Sequence, residues 1–233
     1  MNRHQDTAPG ARAATAVADP AAEREEAGRL WLYAPGRQAP ERVPVPTRPP
    51  SGDAGPLEAV LFDRDGTLVA DVPYNGDPSL VEPMPGAREA VAALRARGLR
   101  VGVVSNQSGV ARGLLTGDQV AAVRREIDAR FGPFDVWAVC PHGPGDRCGC
   151  RKPAPGLVLA ACAHLGVRPA RTAVVGDIGA DVGAALAAGA RGVLVPTPMT
   201  RAEEVVAARA YARDLPGAVR LLLGGRSTGE GAV

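Results

Sequence analysis

Two acids separated by one residue stand at the end of an apolar run, in the pentapeptide Asp63-Arg64-Asp65-Gly66-Thr67. Such a group can hold a divalent metal against a phosphate. One carboxylate can attack phosphorus while the other handles the leaving group's proton. Asp-Gly pairs are also common turn chemistry, so the pentapeptide alone allows a plain surface turn. Three further motifs follow in order: Ser105-Asn106, Lys152, and Gly176-Asp177-x-x-x-Asp181. Lys152 is the single lysine among 27 basic residues. A bias toward arginine explains why lysine is missing elsewhere, not why it is present here. An ammonium is a compact point charge and a guanidinium a planar fork, so Lys152 reads as a position where the fork does not fit.

A second constellation is Cys140-Pro141-His142 followed by Cys148-Gly149-Cys150, in a Gly- and Pro-rich stretch. Three thiols and an imidazole supply one tetrahedral zinc shell, Cys140, His142, Cys148 and Cys150, on a loop spanning 140–150. The competing reading is a set of free thiols. Cys148 and Cys150 are too close for an easy mutual disulfide. Cys162 lies on an apolar helical stripe and reads as a small core residue. His4 falls in the N-terminal stretch, and His164 reads as a surface helix residue.

These residues need elements to position them. Strands are expected at 57–62, 100–104, 134–139, 172–175 and 192–195, separated by helical patterns. The first helix opens at Pro85-Gly86, buries Ala87, Ala90, Val91 and Leu94, and stops at Gly98. The second opens with the capping box Thr116/Gln119 and buries Val120, Val123 and Ile127. The third begins at Pro155 and buries Val158, Ala161, Cys162 and Leu165. The fourth spans about 179–188, with Gly189 as its stop. Thr200 and Glu203 read as another capping box, and a last apolar helix runs near 215–223. Short Val- and Leu-rich strands alternating with amphipathic helices specify an α/β fold, a Rossmann-like three-layer parallel sheet with helices on both faces. Ligands bind such sheets at the carboxyl ends of the strands. Asp63, Ser105-Asn106 and Asp177 all fall there, and Lys152 precedes a helix. Between Thr67 and Pro85 there is room for a short flap, not a cap domain.

Residues 1–56 differ from the rest, being rich in Ala, Pro, Arg and Glu. They read as a mobile tail, with the apolar island Leu30-Trp31-Leu32-Tyr33 as a transient turn within it; docking on the domain or a partner is the alternative. The domain is expected at 57–225, with a flexible end at 226–233. Aromatics are scarce, so the core is expected to be built from Ala, Val and Leu. The net charge of +2 gives no field that points to nucleic acid or a membrane surface. No apolar run reaches membrane-spanning length and no signal-peptide pattern opens the chain, so a soluble cytoplasmic protein is expected; a monomer is the expected state.

The order Asp63-x-Asp65-Gly66-Thr67, Ser105, Lys152, Gly176-Asp177-x-x-x-Asp181 resembles the haloacid dehalogenase-like phosphohydrolase superfamily over about 57–197. That resemblance implies Asp63 as nucleophile and Asp65 as general acid and then base. It implies Mg²⁺ held by Asp63, the main-chain carbonyl of Asp65, and Asp177, with support from Asp181. It also implies phosphoryl contacts from Thr67, Ser105 and Lys152. The zinc loop running into Arg151-Lys152-Pro153, with Asp-Arg-Asp-Gly-Thr and Ser105-Asn106-Gln107-Ser108-Gly109-Val110-Ala111-Arg112-Gly113, is similar to the D-glycero-D-manno-heptose 1,7-bisphosphate 7-phosphatases. The related histidinol-phosphate phosphatases share much of it. The resemblance implies a structural zinc whose loop walls the pocket, substrate contacts at Asn106 and Arg151, and a second phosphate contact at Arg112. Two departures stand out: Ile178 where the heptose enzymes often carry lysine, and the long leader.

The expected function is Mg²⁺-dependent hydrolysis of a small phosphorylated sugar, heptose bisphosphate first, histidinol phosphate as alternative. A catalytically silent phosphate-binding or interaction module is the rival of another class.

Overall fold

The protein is described here by a computed structural model covering residues 28–49 and 55–224. Expectations about 1–27, 50–54 and the C-terminal end from 225 lie outside the described residues. Among the described residues seven strands form one sheet: β1 (Arg29–Tyr33), β2 (Glu41–Pro44), β3 (Ala59–Phe62), β4 (Arg100–Asn106), β5 (Val136–Cys140), β6 (Thr172–Gly176) and β7 (Arg191–Leu194). Their order is β2-β1-β5-β4-β3-β6-β7. Six helices accompany them among the described residues: α1 (Ala87–Arg95), α2 (Gly117–Phe131), α3 (Gly156–Leu165), α4 (Gly179–Ala187), α5 (Ala202–Ala207) and α6 (Leu215–Leu222).

From β3 onward the strands are parallel. The chain builds β3, β4 and β5 in one direction, then crosses back to lay β6 and β7 on the other side of β3. Phe62 pairs with Val103 on one side and Val175 on the other. The strand order therefore reverses at β3, and the crevice at such a reversal opens beyond the strand's carboxyl end, where Asp63 begins.

The alternating strand residues divide the core in two. Val60 and Phe62 face one layer with α1, α2 and α6, while Leu61 faces the other with α3 and α4. The expectation of an Ala/Val/Leu core holds for the second layer. The first is different: six of the chain's eight aromatic residues gather there, Trp31, Tyr33, Phe62, Phe131, Phe134 and Trp137. Phe134 meets the Trp137 ring edge-on with centroids 5.6 Å apart, an arrangement that aromatic quadrupoles favour.

The N-terminal island is not a mobile turn. Residues 30–33 lie in β1, antiparallel to β5, and β2 adds an outer antiparallel strand. Leu30 and Tyr33 are fully buried. Proline content misled here: Pro35 and Pro40 fall in the turn, Pro44 only closes the outer strand opposite Arg29, and Leu30-Trp31-Leu32-Tyr33 alternates between the two core layers. Arg124 fastens the connection, with its guanidinium 4.8 Å from the Tyr33 ring centre and Nη2 donating to the Arg37 carbonyl at 2.8 Å. The sheet is thus mixed at this edge, not wholly parallel.

The helices begin and end near their expected bounds. Thr116 and Gln119 form the capping box on α2. Leu165 is half-buried, whereas Val158, Ala161 and Cys162 are buried as expected. The Thr200/Glu203 box does not form: α5 starts one residue later, with Arg201 N donating to Glu204 at 3.1 Å. The Thr200 hydroxyl is used elsewhere, on the main chain of Asp177.

Candidate active site

Asp63 leaves β3 with its N–H donating to Val175 O at 2.9 Å, so sheet pairing fixes its position. The chain then turns tightly: Leu68 N and Val69 N both donate to Arg64 O. Gly66 makes that turn possible. Its φ is +75°, and a Cβ there would sit 2.5 Å from Asp177 Oδ2, so both backbone freedom and close approach demand glycine.

Lys152 Nζ lies 2.5 Å from Asp63 Oδ1, 2.6 Å from Asp181 Oδ1 and 2.9 Å from Val104 O. Asp63 and Val104 accept hydrogen bonds from the ammonium and Asp181 pairs with it by charge, and the residue is 5% exposed. A guanidinium cannot reproduce this compact convergence, which gives a physical reason for the chain's one lysine. Burial alone would lower its pKa, but Asp181 and Asp63 outweigh burial and raise it. The expected phosphoryl contact therefore requires the ammonium to turn from one of these oxygens toward the phosphate.

The lysine's main chain is fixed as well. Lys152 N donates to Asn106 Oδ1 at 3.1 Å, and Asn106 Nδ2 donates to Lys152 O at 3.3 Å. In this structure the Asn106 amide, expected on substrate, is engaged with Lys152. Asp65 is held by two other donors: Arg64 Nε donates to its Oδ1 at 2.8 Å and Gln107 Nε2 to its Oδ2 at 3.1 Å. Gln107 also donates to the buried Ser105 Oγ at 2.8 Å. Thr67 Oγ1 faces Asp177 Oδ1 at 3.5 Å. Arg151 Nη1 reaches His142 O at 3.5 Å. Arg112 Nη1 donates to Tyr74 Oη at 2.6 Å, out toward solvent. The predicted residues from Asp63 to Asp181 thus converge on the sheet's carboxyl edge, and Arg112 stands on its rim.

Gln107, Thr197 and Thr200 were missed as site residues. Gln107 follows Ser105-Asn106 directly, which was a usable signal. The threonines follow a different strand and carry no pattern of their own.

One carboxylate oxygen from each of Asp63, Asp177 and Asp181 lies within 4.8 Å of the others. Hard oxygen donors so gathered suit Mg²⁺. Their mutual repulsion makes the same point. Burial, opposed by Lys152 and reinforced by Asp181 and Asp65, raises the Asp63 pKa to about 8. Burial and then Asp181 raise Asp177 to about 6. Cations and protons compete for such groups. Mg²⁺ affinity is therefore expected to rise steeply up to pH 6, where both carboxyls must lose a proton, and more gently from pH 6 to 8, where only Asp63 must. Calorimetric titrations at pH 5, 6, 7 and 8 test this; a flat profile would contradict it.

The second cluster also closes. His142 Nδ1 lies 3.2 Å from Cys150 Sγ and 3.5 Å from Cys140 Sγ; Cys140 Sγ lies 3.7 Å from Cys148 Sγ and 3.2 Å from Cys150 Sγ. Four ligands about a tetrahedral zinc stand roughly 3.5–3.8 Å apart, given its bond lengths. All three thiols are free of disulfides. The Cys140 sulfur, then burial, push the Cys148 thiol up to about 12. Such sulfurs become thiolates when a cation offsets their charge, so the donor set fits zinc.

Residues 73–189 match the sequence profile of haloacid dehalogenase-like hydrolases. The chain belongs to this hydrolase family. The chain is 38% identical over 150 residues to D-glycero-beta-D-manno-heptose-1,7-bisphosphate 7-phosphatase of Pseudomonas putida, covering 60% of this chain and 83% of that protein. Against the corresponding alpha-anomer phosphatase of Mycobacterium tuberculosis the identity is 37% over 136 residues, 55% of this chain and 72% of that protein. Among solved structures, D,D-heptose 1,7-bisphosphate phosphatase of Bordetella bronchiseptica, complexed with magnesium and phosphate, superimposes with a TM-score of 0.63. It is 29% identical and covers 72% of this chain and 99% of its own. This family member is an enzyme, a phosphoric monoester hydrolase. Among its described residues no helix is long and apolar enough to cross a membrane.

Proposed function

We propose that the protein removes the 7-phosphate of D-glycero-D-manno-heptose 1,7-bisphosphate. The observation that carries this is the match to phosphatases of that name over 83% of the length of the Pseudomonas enzyme. The zinc-type cluster running directly into Arg151-Lys152 supports it further, because the two sites then share one loop.

In this reading a carboxylate oxygen of Asp63 attacks the 7-phosphorus, forming an aspartyl-phosphate as the bond to O7 breaks. Asp65 donates its proton to that oxygen, so the leaving group departs as a neutral alcohol. Asp65 then takes a proton from water, whose oxygen displaces Asp63 from phosphorus and releases inorganic phosphate. Arg64 and Gln107 fix the position of the Asp65 carboxylate, and one of these two contacts gives way when it carries the proton. Lys152 offsets the charge of Asp63 as a phosphate dianion approaches, while Ser105 and Thr67 contact its oxygens. Mg²⁺ would be held by Asp63, Asp177 and the Asp65 carbonyl, with support from Asp181, and would supply the remaining charge neutralisation. Zinc on Cys140, His142, Cys148 and Cys150 is structural. Arg112 and Arg151 are the cations for the far phosphate. The substrate's setting is the cytoplasm.

The test is phosphate release from both anomers of the bisphosphate and from histidinol phosphate. One phosphate per heptose, with the anomeric phosphate retained, is the expected result. Turnover of histidinol phosphate without turnover of either bisphosphate would overturn the assignment.

A further inference from the structure

Building on the metal reading above, we propose that the loop after β7 is a positioning element for Asp177. Through Thr197 and Thr200 it sets how tightly the carboxylate site holds Mg²⁺. Asp177 is the first residue beyond β6, where strand pairing no longer holds the backbone. Its carboxylate also faces repulsion, since oxygens of Asp63 and Asp181 lie within 4.8 Å. Left alone, it would turn toward solvent.

The loop prevents this with three contacts. Thr200 Oγ1 donates to Asp177 O at 2.6 Å and accepts from Thr197 N at 2.8 Å. One hydroxyl therefore joins the aspartate's main chain to the loop with both its donor and an acceptor engaged. Thr197 Oγ1 accepts from Met199 N at 3.2 Å, which leaves its proton to face Asp177 Oδ2 at 3.4 Å. The loop itself is anchored by Val195 N donating to Gly176 O at 2.8 Å, one residue before the aspartate. With Thr67 beside Oδ1, each carboxylate oxygen has a hydroxyl neighbour. Each oxygen keeps lone-pair capacity for a cation. A carboxylate already held in place loses less freedom when the metal arrives, and partners of ligands typically contribute 10- to 100-fold to metal affinity.

Mg²⁺ binding to the full chain is measured by titration calorimetry and by the thermal upshift that Mg²⁺ produces. Thr200→Val is expected to weaken affinity on the order of 10-fold. Thr200→Ser, which keeps the hydroxyl, restores wild-type affinity. Thr197→Val shifts it in the same direction by less. The Mg²⁺ concentration giving half-maximal phosphate release rises in parallel. A Thr200→Val protein that loses thermal stability but binds Mg²⁺ as wild type does would overturn the proposal. If that variant does not fold, unchanged affinity in Thr197→Val overturns it instead. Wild-type protein that binds no Mg²⁺ at all would count against the metal reading itself, a separate outcome.

Discussion

Asp63→Asn abolishes phosphate release, with a loss on the order of 10⁴- to 10⁶-fold, the scale seen when a covalent nucleophile is removed. An amide is nearly the same size as the carboxylate but does not attack phosphorus at a useful rate. The fold should survive. Asp63 sits among like charges with its pKa raised to about 8, burial being the largest cause. Neutralising it relieves repulsion, and Lys152 keeps its contacts to Asp181 and Val104. Equal or higher thermal stability should therefore accompany the lost activity. Steady-state phosphate release and a melting curve on the same sample check both halves. Activity within tenfold of wild type would remove Asp63 from the role of nucleophile.

Cys140→Ser has the next largest effect, and it acts on structure. Elemental analysis should find about one zinc per chain in protein purified under reducing conditions, since four protein ligands close one site. The variant should lose that zinc and melt on the order of 10 °C lower, because structural zinc contributes folding free energy directly. Activity should fall with it, for geometric reasons. Cys150 is followed immediately by Arg151 and Lys152, and Gln107 N donates to Cys140 O at 2.7 Å. Loosening the loop therefore disturbs the ammonium on Asp63 and the amide on Asp65 together. A zinc-free wild-type protein, or a variant with unchanged melting and activity, would contradict the metal assignment.

Much of this site was legible in the sequence because its chemistry is concentrated in short spacings. Asp63-x-Asp65 and Cys148-x-Cys150 are local, and Lys152 stood out against a background of arginine. The parallel strands from β3 to β7 were legible because apolar runs alternate with helix-period patterns. Contacts made across the fold left no such trace. Nothing near Thr200 predicts that its hydroxyl will serve Asp177 and not cap α5. Asn106 was read as a substrate contact on resemblance, yet its amide bridges both main-chain polar groups of Lys152, 46 residues away. The N-terminal strand was obscured by surrounding prolines. A tally of prolines over a stretch says little about a four-residue apolar segment within it.

The pairing of β1 with β5 also orders events during synthesis. Trp31 lies opposite Val139 and Tyr33 opposite Trp137. β1 cannot meet β5 until roughly a hundred more residues have left the ribosome, and contacts so distant in sequence form late. Until then Leu30-Trp31-Leu32-Tyr33 travels as an uncovered greasy patch, the kind of segment that chaperones shield and that nucleates aggregates. Slow or interrupted translation before residue 140 would prolong that exposure.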